Sequence, residues 1–429
     1  MHDPQPPTGR QQAVSRSLLG SILAVTGIAV AGSAVVLLGT AGVLAAIMAK
    51  TIVTPPSKRE DDTRVFAVDL AGSTLTLQRH RDSVLPGDYS FFFSGGTGHA
   101  KVGEITERTA KTITRRIISV DYGDLASARR GRFSGWLYTT PADLGISWQA
   151  VAVPTNLGPA PAWLVPSTED GPADHWVIQV HGRAVRREEA LRAVPVFRQA
   201  GYTSLLISYR NDGDAPSSVD GRYGLGDTEW RDVEAAISFA VDRGASSIVL
   251  MGWSMGGAIV LQALTRSSHA HLIIGVVLES PVIDWADVVA AQAIDRRLPR
   301  QIASGAVALM GSRRGQRLTG LGAPIDFGRL DFVARAPDLH RPILLLHSDD
   351  DGFVPATGSR RLAERRPDLV TFVSFTEARH TKLFNYDPVR WNGAIAAWLA
   401  ELEPLASDAL PQLTLGSAEH GTHAAQPQR

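Results

Sequence analysis

From Trp148 onward, apolar runs of strand length alternate with stretches of helix length, and this rhythm restricts the fold more than any other feature of the chain. The strand-like runs are Trp176–Val180, Ser204–Tyr209, Ser247–Met251, Leu272–Leu278, Ile343–Leu346 and Val370–Phe375. Helical patterning covers Arg186–Ala200, Thr228–Asp242, Gly256–Thr265, Thr357–Arg365 and Pro388–Glu401. Strands that are apolar along their length need cover on both faces, and intervening helices supply it. The pattern predicts an α/β fold with a mostly parallel central sheet over residues 144–404. Residues 281–341 break the rhythm and read as a helical cap insertion.

The sharpest local signal is Gly252-Trp253-Ser254-Met255-Gly256, a G-x-S-x-G sequence placed after one apolar strand and before one apolar helix. A sharp strand-to-helix turn lifts the serine hydroxyl above the sheet edge, and crowding two residues to either side admits only small side chains. Gly252 and Gly256 meet that demand. The helix starting at Met255 aims unpaired amides at any oxyanion formed on Ser254. A glycine-rich turn with an incidental serine is the bland alternative, and the strand–turn–helix context argues against it.

A serine hydroxyl needs a base held in place by a third group. His380 follows the last predicted strand, in Phe375-Thr376-Glu377-Ala378-Arg379-His380, whereas His420 and His423 fall in an Ala-, Gln- and Gly-rich tail at 405–429 that reads as disordered. A surface-loop histidine is the bland alternative for His380, and its place just past the last strand argues against it. The acid is expected at the end of the preceding strand, where Asp349, Asp350 and Asp351 stand in a row. Position alone does not separate them.

Here the chain resembles the α/β-hydrolase superfamily, over most of residues 148–403. The order Ser…Asp…His matches, and His347 through Val354-Pro355 resembles the family's H-G-x-x-D-x-x-V-P acid loop with Ser348 in place of glycine. That register implies Asp351 as the acid. Val180-His181-Gly182-Arg183 is similar to the family's H-G-x turn, which implies that the backbone amides of Arg183 and Met255 form the oxyanion hole and that His181 is structural. Ser208-Tyr209-Arg210 and Gly226–Asp232 resemble non-catalytic segments of membrane-linked and serine-aminopeptidase-like members. Arg183, Arg186 and Arg187 cluster beside the turn; they could attract an anionic substrate, but a solvated helix face accounts for them as well.

Upstream, residues 18–49 carry no charge. As a helix the stretch would extend about 48 Å at ~1.5 Å per residue, beyond a hydrocarbon core of about 30 Å, so it is expected to be a retained single-pass transmembrane helix after an N-terminal segment at 1–17. Arg10 and Arg16 precede it while Lys50, Lys58, Arg59 and Arg64 follow. The charge count favours a cytoplasmic main domain, and a short basic N-terminus with one anchor favours an outer one. The side stays open, leaning outward. Residues 50–64 read as a linker. Alternating runs such as Val65–Val68, Thr74–Leu77 and Thr112–Thr114 then predict a β-rich accessory region over 65–143.

Lysine plus arginine equals aspartate plus glutamate at 43 each, so no basic surplus points to nucleic acid. The chain has no cysteine, which excludes disulfides and thiolate chemistry. No metal, phosphate-loop or dinucleotide motif is present, and no cofactor is expected. The expected activity is cleavage of a small-molecule or lipid carboxylic ester by Ser254, Asp351 and His380 through an acyl-enzyme. A serine peptidase or acyltransferase on the same fold is one alternative, and a non-catalytic membrane-bound binding module is another. Oligomeric state is left open.

Overall fold

The computed structural model describes residues 40–168 and 174–408. A helix over 40–53 (α1) leads into six strands: β1 (Thr63–Asp69), β2 (Thr74–Gln78), β3 (Tyr89–Phe93), β4 (Gly98–Arg108), β5 (Thr112–Tyr122) and β6 (Arg130–Ser134). They form a closed barrel in the order β1-β2-β5-β4-β3-β6, with β6 pairing back onto β1 through Thr63–Gly131 and Arg64–Arg130. Leu75, Leu77, Phe91, Phe93 and Val102 fill its interior. Arg115 is buried there too, its guanidinium donating to the carbonyls of Gly103, Leu85 and Gly87 at 2.8, 2.7 and 3.1 Å. Burial pushes its pKa down to about 10, with Tyr89 and Asp88 pulling the other way.

The second unit is an eight-stranded sheet in the order β14-β13-β12-β11-β9-β10-β8-β7. Its strands are β7 (Gln149–Thr155), β8 (Gly158–Val165), β9 (His175–Val180), β10 (Thr203–Ile207), β11 (Ser247–Trp253), β12 (Ile273–Glu279), β13 (Ile343–Ser348) and β14 (Val370–Phe375). Strands β9 to β14 are parallel, and β8 runs antiparallel to both β10 and β7. The β7–β8 hairpin is absent from the predicted strands. Pro154, Pro159 and Pro161 suppress its signal, and proline is tolerated at a sheet margin where ladder donors are dispensable.

Alternation along β9 divides the core. Trp176, Ile178 and Val180 face α3 (Trp230–Val241) and α4 (Met255–Arg266), while Val177 joins the opposite face under α2 (Val194–Gln199) and α10 (Pro388–Asp408). Burying each large aliphatic side chain contributes about 1.5–3 kcal/mol. The predicted helix at 186–200 opens as a 3-10 segment, Arg187–Ala193, and becomes α-helical only at Val194. Between β12 and β13 the chain inserts α5 (Trp285–Asp295), α6 (Arg300–Met310) and α7 (Gln316–Thr319); α8 (Thr357–Arg365) and α9 (Leu383–Tyr386) follow β13 and β14.

The expected transmembrane helix at 18–49 needs redrawing. Residues 18–39 lie outside the described residues, as do 1–17 and 409–429. Residues 40–49 begin α1, which packs on the α/β unit through Ala45, Ala49 and Val53, one residue per turn and all buried. Small residues permit the approach: a Cβ placed on Gly305 of α6 would sit 3.1 Å from that of Ala45. Helix α1 continues to residue 53, so the expected linker at 50–64 starts helical. Among the described residues no helix is long and apolar enough to cross a membrane.

Candidate active site

After β9 the chain steps outward to β10, then returns to lay β11 on the other side of β9. The two strands diverge in onward connection, and the crevice beyond their carboxyl ends is where open α/β sheets bind ligands. Gly182 and Arg183 follow β9, and Ser254 follows β11.

Ser254 joins β11 to α4 with φ 53° and ψ −116°, a left-handed conformation that costs a non-glycine residue about 1–3 kcal/mol. The turn is held by Ser254 N–H donating to the Glu279 carbonyl and by Gly257 N–H donating to the Ser254 carbonyl, both at 3.0 Å. Its flanking glycines have no room for a side chain. A Cβ on Gly252 would meet the Gly256 carbonyl oxygen at 2.4 Å, and one on Gly256 would meet the Val180 carbonyl oxygen at 2.1 Å.

His380 Nε2 lies 3.0 Å from Ser254 Oγ, and His380 Nδ1 lies 2.7 Å from Asp351 Oδ2. The histidine sits between Arg379 (φ 62°) and Thr381 (φ 49°), two left-handed residues that turn it out of the loop after β14. Of the three consecutive aspartates only Asp351 faces it. Asp349 is drawn to Arg360 at the surface, and Asp350 pairs with Arg379 at 3.2 Å. Asp351 Oδ1 also accepts the amides of Phe353 and Val354 at 2.9 and 2.8 Å. Burial would raise its pKa, but the charge of His380 and hydrogen bonds from His347 and His380 together hold it well below the usual carboxylate range.

The turn after β9 lies against the serine: a Cβ on Gly182 would be 3.2 Å from Ser254 Cβ. Gly182 N–H donates to Glu189 Oε2 at 2.7 Å. His181 is buried, stacked on Tyr209, and bonded through Nε2 to Asp212 Oδ2 at 3.1 Å. Tyr209 O–H donates to the Gly182 carbonyl at 2.7 Å. Of the three clustered arginines only Arg186 is solvent-exposed. Arg183 reaches back to α1, donating to the carbonyls of Thr51, Ile52 and Thr54 at 2.7, 2.9 and 3.0 Å. Arg187 donates to Ser208 Oγ and Asp214 Oδ2 at 2.7 and 2.9 Å, and Arg186 pairs with the same aspartate at 3.3 Å.

Several residues that sequence reasoning did not single out hold this arrangement. Arg192, fully buried, lies 3.8 Å from Glu189 and 3.7 Å from Glu279. Glu279 Oε2 accepts both Trp253 Nε1 and Trp391 Nε1, at 2.8 and 3.0 Å. Ser348 Oγ accepts the Ala378 amide at 3.0 Å and donates to Asp350 Oδ1 at 2.8 Å, tying the acid loop to the histidine loop. The barrel adds Asp82 to Lys382 at 3.3 Å and the Asp88 carbonyl to Asn385 Nδ2 at 2.7 Å. Charged residues of this kind read as surface in a sequence; the departure at Ser348 was the one visible hint.

Two cavities meet at Ser254. One, of 480 Å³, has a mixed lining with several charged side chains and runs between the barrel and the histidine loop, past Arg59, Arg132, Trp136 and Lys382. Burial pushes the Arg59 pKa down to about 10, assisted by Arg132, and its guanidinium sits 4.5 Å over the Trp136 ring. The other, of 250 Å³, is apolar and lies between α1 and α5. A 720 Å³ cleft adjoins the 480 Å³ cavity, sharing Arg59, Arg132 and Trp136 without reaching Ser254.

The profile of the Alpha/beta hydrolase family matches residues 171–394, over half of the chain, and that of a domain of unknown function matches residues 64–134, the barrel. No curated protein matches the chain. Among solved structures, an esterase from Pyrococcus furiosus shares 19% identity at a TM-score of 0.48, covering 62% of this chain and 94% of its own. A monoacylglycerol lipase from Paleococcus ferrophilus shares 22% at 0.40, covering 57% and 99%. Est1E from Butyrivibrio proteoclasticus shares 17% at 0.42, covering 59% and 99%. The family match is to the family as a whole, and the serine-aminopeptidase-like subgroup is not distinguished by it.

Proposed function

Since the chain belongs to the alpha/beta hydrolase family and is a hydrolase, we propose that it cleaves carboxylic esters, with Ser254 as nucleophile, His380 as general base and Asp351 as the acid that orients the histidine. The observation that carries this reading is the placement of one imidazole between Ser254 Oγ and Asp351 Oδ2, at 3.0 and 2.7 Å.

In the proposed mechanism His380 Nε2 takes the hydroxyl proton as Ser254 Oγ attacks the acyl carbon. Asp351 accepts from Nδ1–H and so fixes the tautomer that leaves Nε2 free to act as base. The amides of Arg183 and Met255 receive the oxyanion, a contribution of about 2.7–4 kcal/mol per donor in such sites. The proton on Nε2 passes to the departing alkoxide, leaving an acyl-Ser254 ester. Water, deprotonated by the same nitrogen, attacks that ester, and Ser254 recovers its proton as the acid is released.

We also propose that the uncharged residues 18–39 anchor the chain in a membrane. At ~1.5 Å per residue, 22 residues reach roughly 33 Å, close to a hydrocarbon core of about 30 Å. The catalytic unit is then membrane-tethered, with the outer face as the working side.

The test of the catalytic reading is labelling with a fluorophosphonate probe. Wild type is expected to label and to turn over aryl esters, and Ser254→Ala to do neither. Labelling that persists in Ser254→Ala, or turnover confined to peptide amides, defeats it.

A further inference from the structure

Resting on the reading of Ser254 as an acyl-accepting nucleophile, we infer that α1, which lies outside the region matched by the hydrolase family, forms one wall of an acyl-chain cavity, and that the substrates are esters of extended apolar acids. The inference starts from the two faces of α1. Ala49 and Val53 are buried in the α/β core, and Ala45 is buried against Gly305 of α6. Leu44, Ile47 and Met48, at the i, i+3, i+4 spacing of a neighbouring face, line the 250 Å³ cavity that ends at Ser254. Trp285 and Val288 of α5, with Leu298 beyond it, line the same cavity.

Most polar groups at its margin are occupied by protein partners. Thr51 Oγ1 donates to the Ile47 carbonyl at 2.8 Å, Gln292 Nε2 donates to the Phe353 carbonyl at 2.8 Å, and Arg296 is bonded to Gln292 Oε1 at 2.8 Å. Arg183 spends its guanidinium on the last carbonyls of α1. Arg296, exposed at the margin, is bonded through Nη1 alone; elsewhere along the wall a hydroxylated or charged acyl group gives up water for groups already bonded, whereas methylenes lose nothing by desolvation. Ile47 stays 57% exposed while lining this space, so the wall has apolar surface to cover. On the other side of Ser254 the 480 Å³ cavity has a mixed lining that carries charged side chains, among them Arg59, Arg132 and Lys382. The scissile bond therefore lies at the junction of an apolar half and a half that carries charge. That is the anatomy of an amphiphile with one apolar tail and a polar alcohol or thiol as leaving group.

The test uses the full-length chain with p-nitrophenyl esters from acetate to decanoate. Wild-type kcat/KM is expected to rise roughly fourfold per methylene over the first part of the series, the equivalent of about 0.8 kcal/mol each, and then to level off. Ile47→Trp and Val288→Trp fill the cavity from its two walls, and each is expected to lower the decanoate-to-acetate ratio at least tenfold. The ratio is internal to one preparation, so a misfolded fraction cancels. Displacement of a fluorescent fatty acid supplies a readout independent of turnover, with the same two variants weakening binding about tenfold. A flat ester series, or ratios and fatty-acid binding unchanged in both variants, overturns the acyl cavity while leaving ester hydrolysis intact. Absence of turnover on every ester, with fatty-acid binding still sensitive to both variants, instead defeats the proposed reaction and keeps the apolar site.

Discussion

Arg192 Nη1 lies 2.8 Å from the carbonyl oxygen of Thr381, the residue that follows His380, and the same nitrogen lies 3.0 Å from the carbonyl of Gly135 at the end of the barrel. One buried guanidinium thus joins the barrel to the loop that presents the histidine.

Replacing it with leucine removes those bonds and strands Glu189 and Glu279 without their cation. Breaking a buried charge arrangement from one side costs about 3–5 kcal/mol. Arg192→Leu is therefore expected to unfold at markedly lower urea concentration and to lose kcat in whatever folded fraction remains. A variant with unchanged midpoint and unchanged kcat contradicts the role assigned to this residue.

Two of the three aspartates, Asp351 and Asp349, separate cleanly by experiment. Asp351→Asn is expected to lower kcat by roughly 10⁴-fold, because the amide favours the wrong imidazole tautomer. Asp349→Asn, which touches only Arg360 at the surface, is expected to stay within about 0.5 kcal/mol of wild type in stability and near wild type in rate. Comparable losses in both variants would reject the register that selects Asp351.

Ser348→Gly restores the glycine of the resembled acid loop and deletes the links to Ala378 N–H and Asp350 Oδ1. The loss is expected at about 1–3 kcal/mol, since a buried amide is left without its acceptor. With the histidine loop loosened, kcat should fall while KM changes little. Steady-state kinetics beside thermal melts read both effects, and a KM change alone would point elsewhere.

Asp212 links stability to pH. Burial raises its pKa, but the hydrogen bond from His181, the charge of that ring and the amides of Asp214 and Ala215 outweigh it, so the folded-state value is lowered. A lowered carboxylate pKa stabilises the fold above the unfolded-state value of about 3.9, and that stabilisation is lost as pH falls through the folded value. Asp212→Asn is expected to cost about 1.5–3 kcal/mol near pH 7, a gap that narrows once the pH drops below about 4. A gap that widens in acid would reverse the sign argued here.

How much of this was legible in the sequence follows from how local each signal is. The parallel strands and the turn around Ser254 announce themselves through contiguous apolar residues and glycine spacing. His380 was reachable because a doubly wound sheet delivers successive strand ends to one crevice, whereas Asp351 stood out from its two neighbours only through the register of the resembled acid loop. Closure of the barrel was not legible: Thr63 pairing with Gly131 joins registers far apart in the chain and leaves no nearby mark. Glu189, Arg192 and Glu279 carry charge and so looked like surface, whereas their burial depends on partners from three separate segments. The uncharged run at 18–49 was misjudged at its end for a related reason. Ala45 and Ala49 suit a bilayer and a helix interface equally, so composition alone does not assign residues 40–49 to either.

Arg183 belongs to two structures at once. Its main chain follows Gly182 in the turn beside Ser254, and its side chain grips the final turn of α1 through three carbonyls. The end of α1 and the turn beside Ser254 are therefore tied together by one side chain, in addition to the packing of Ala49 and Val53 on the core.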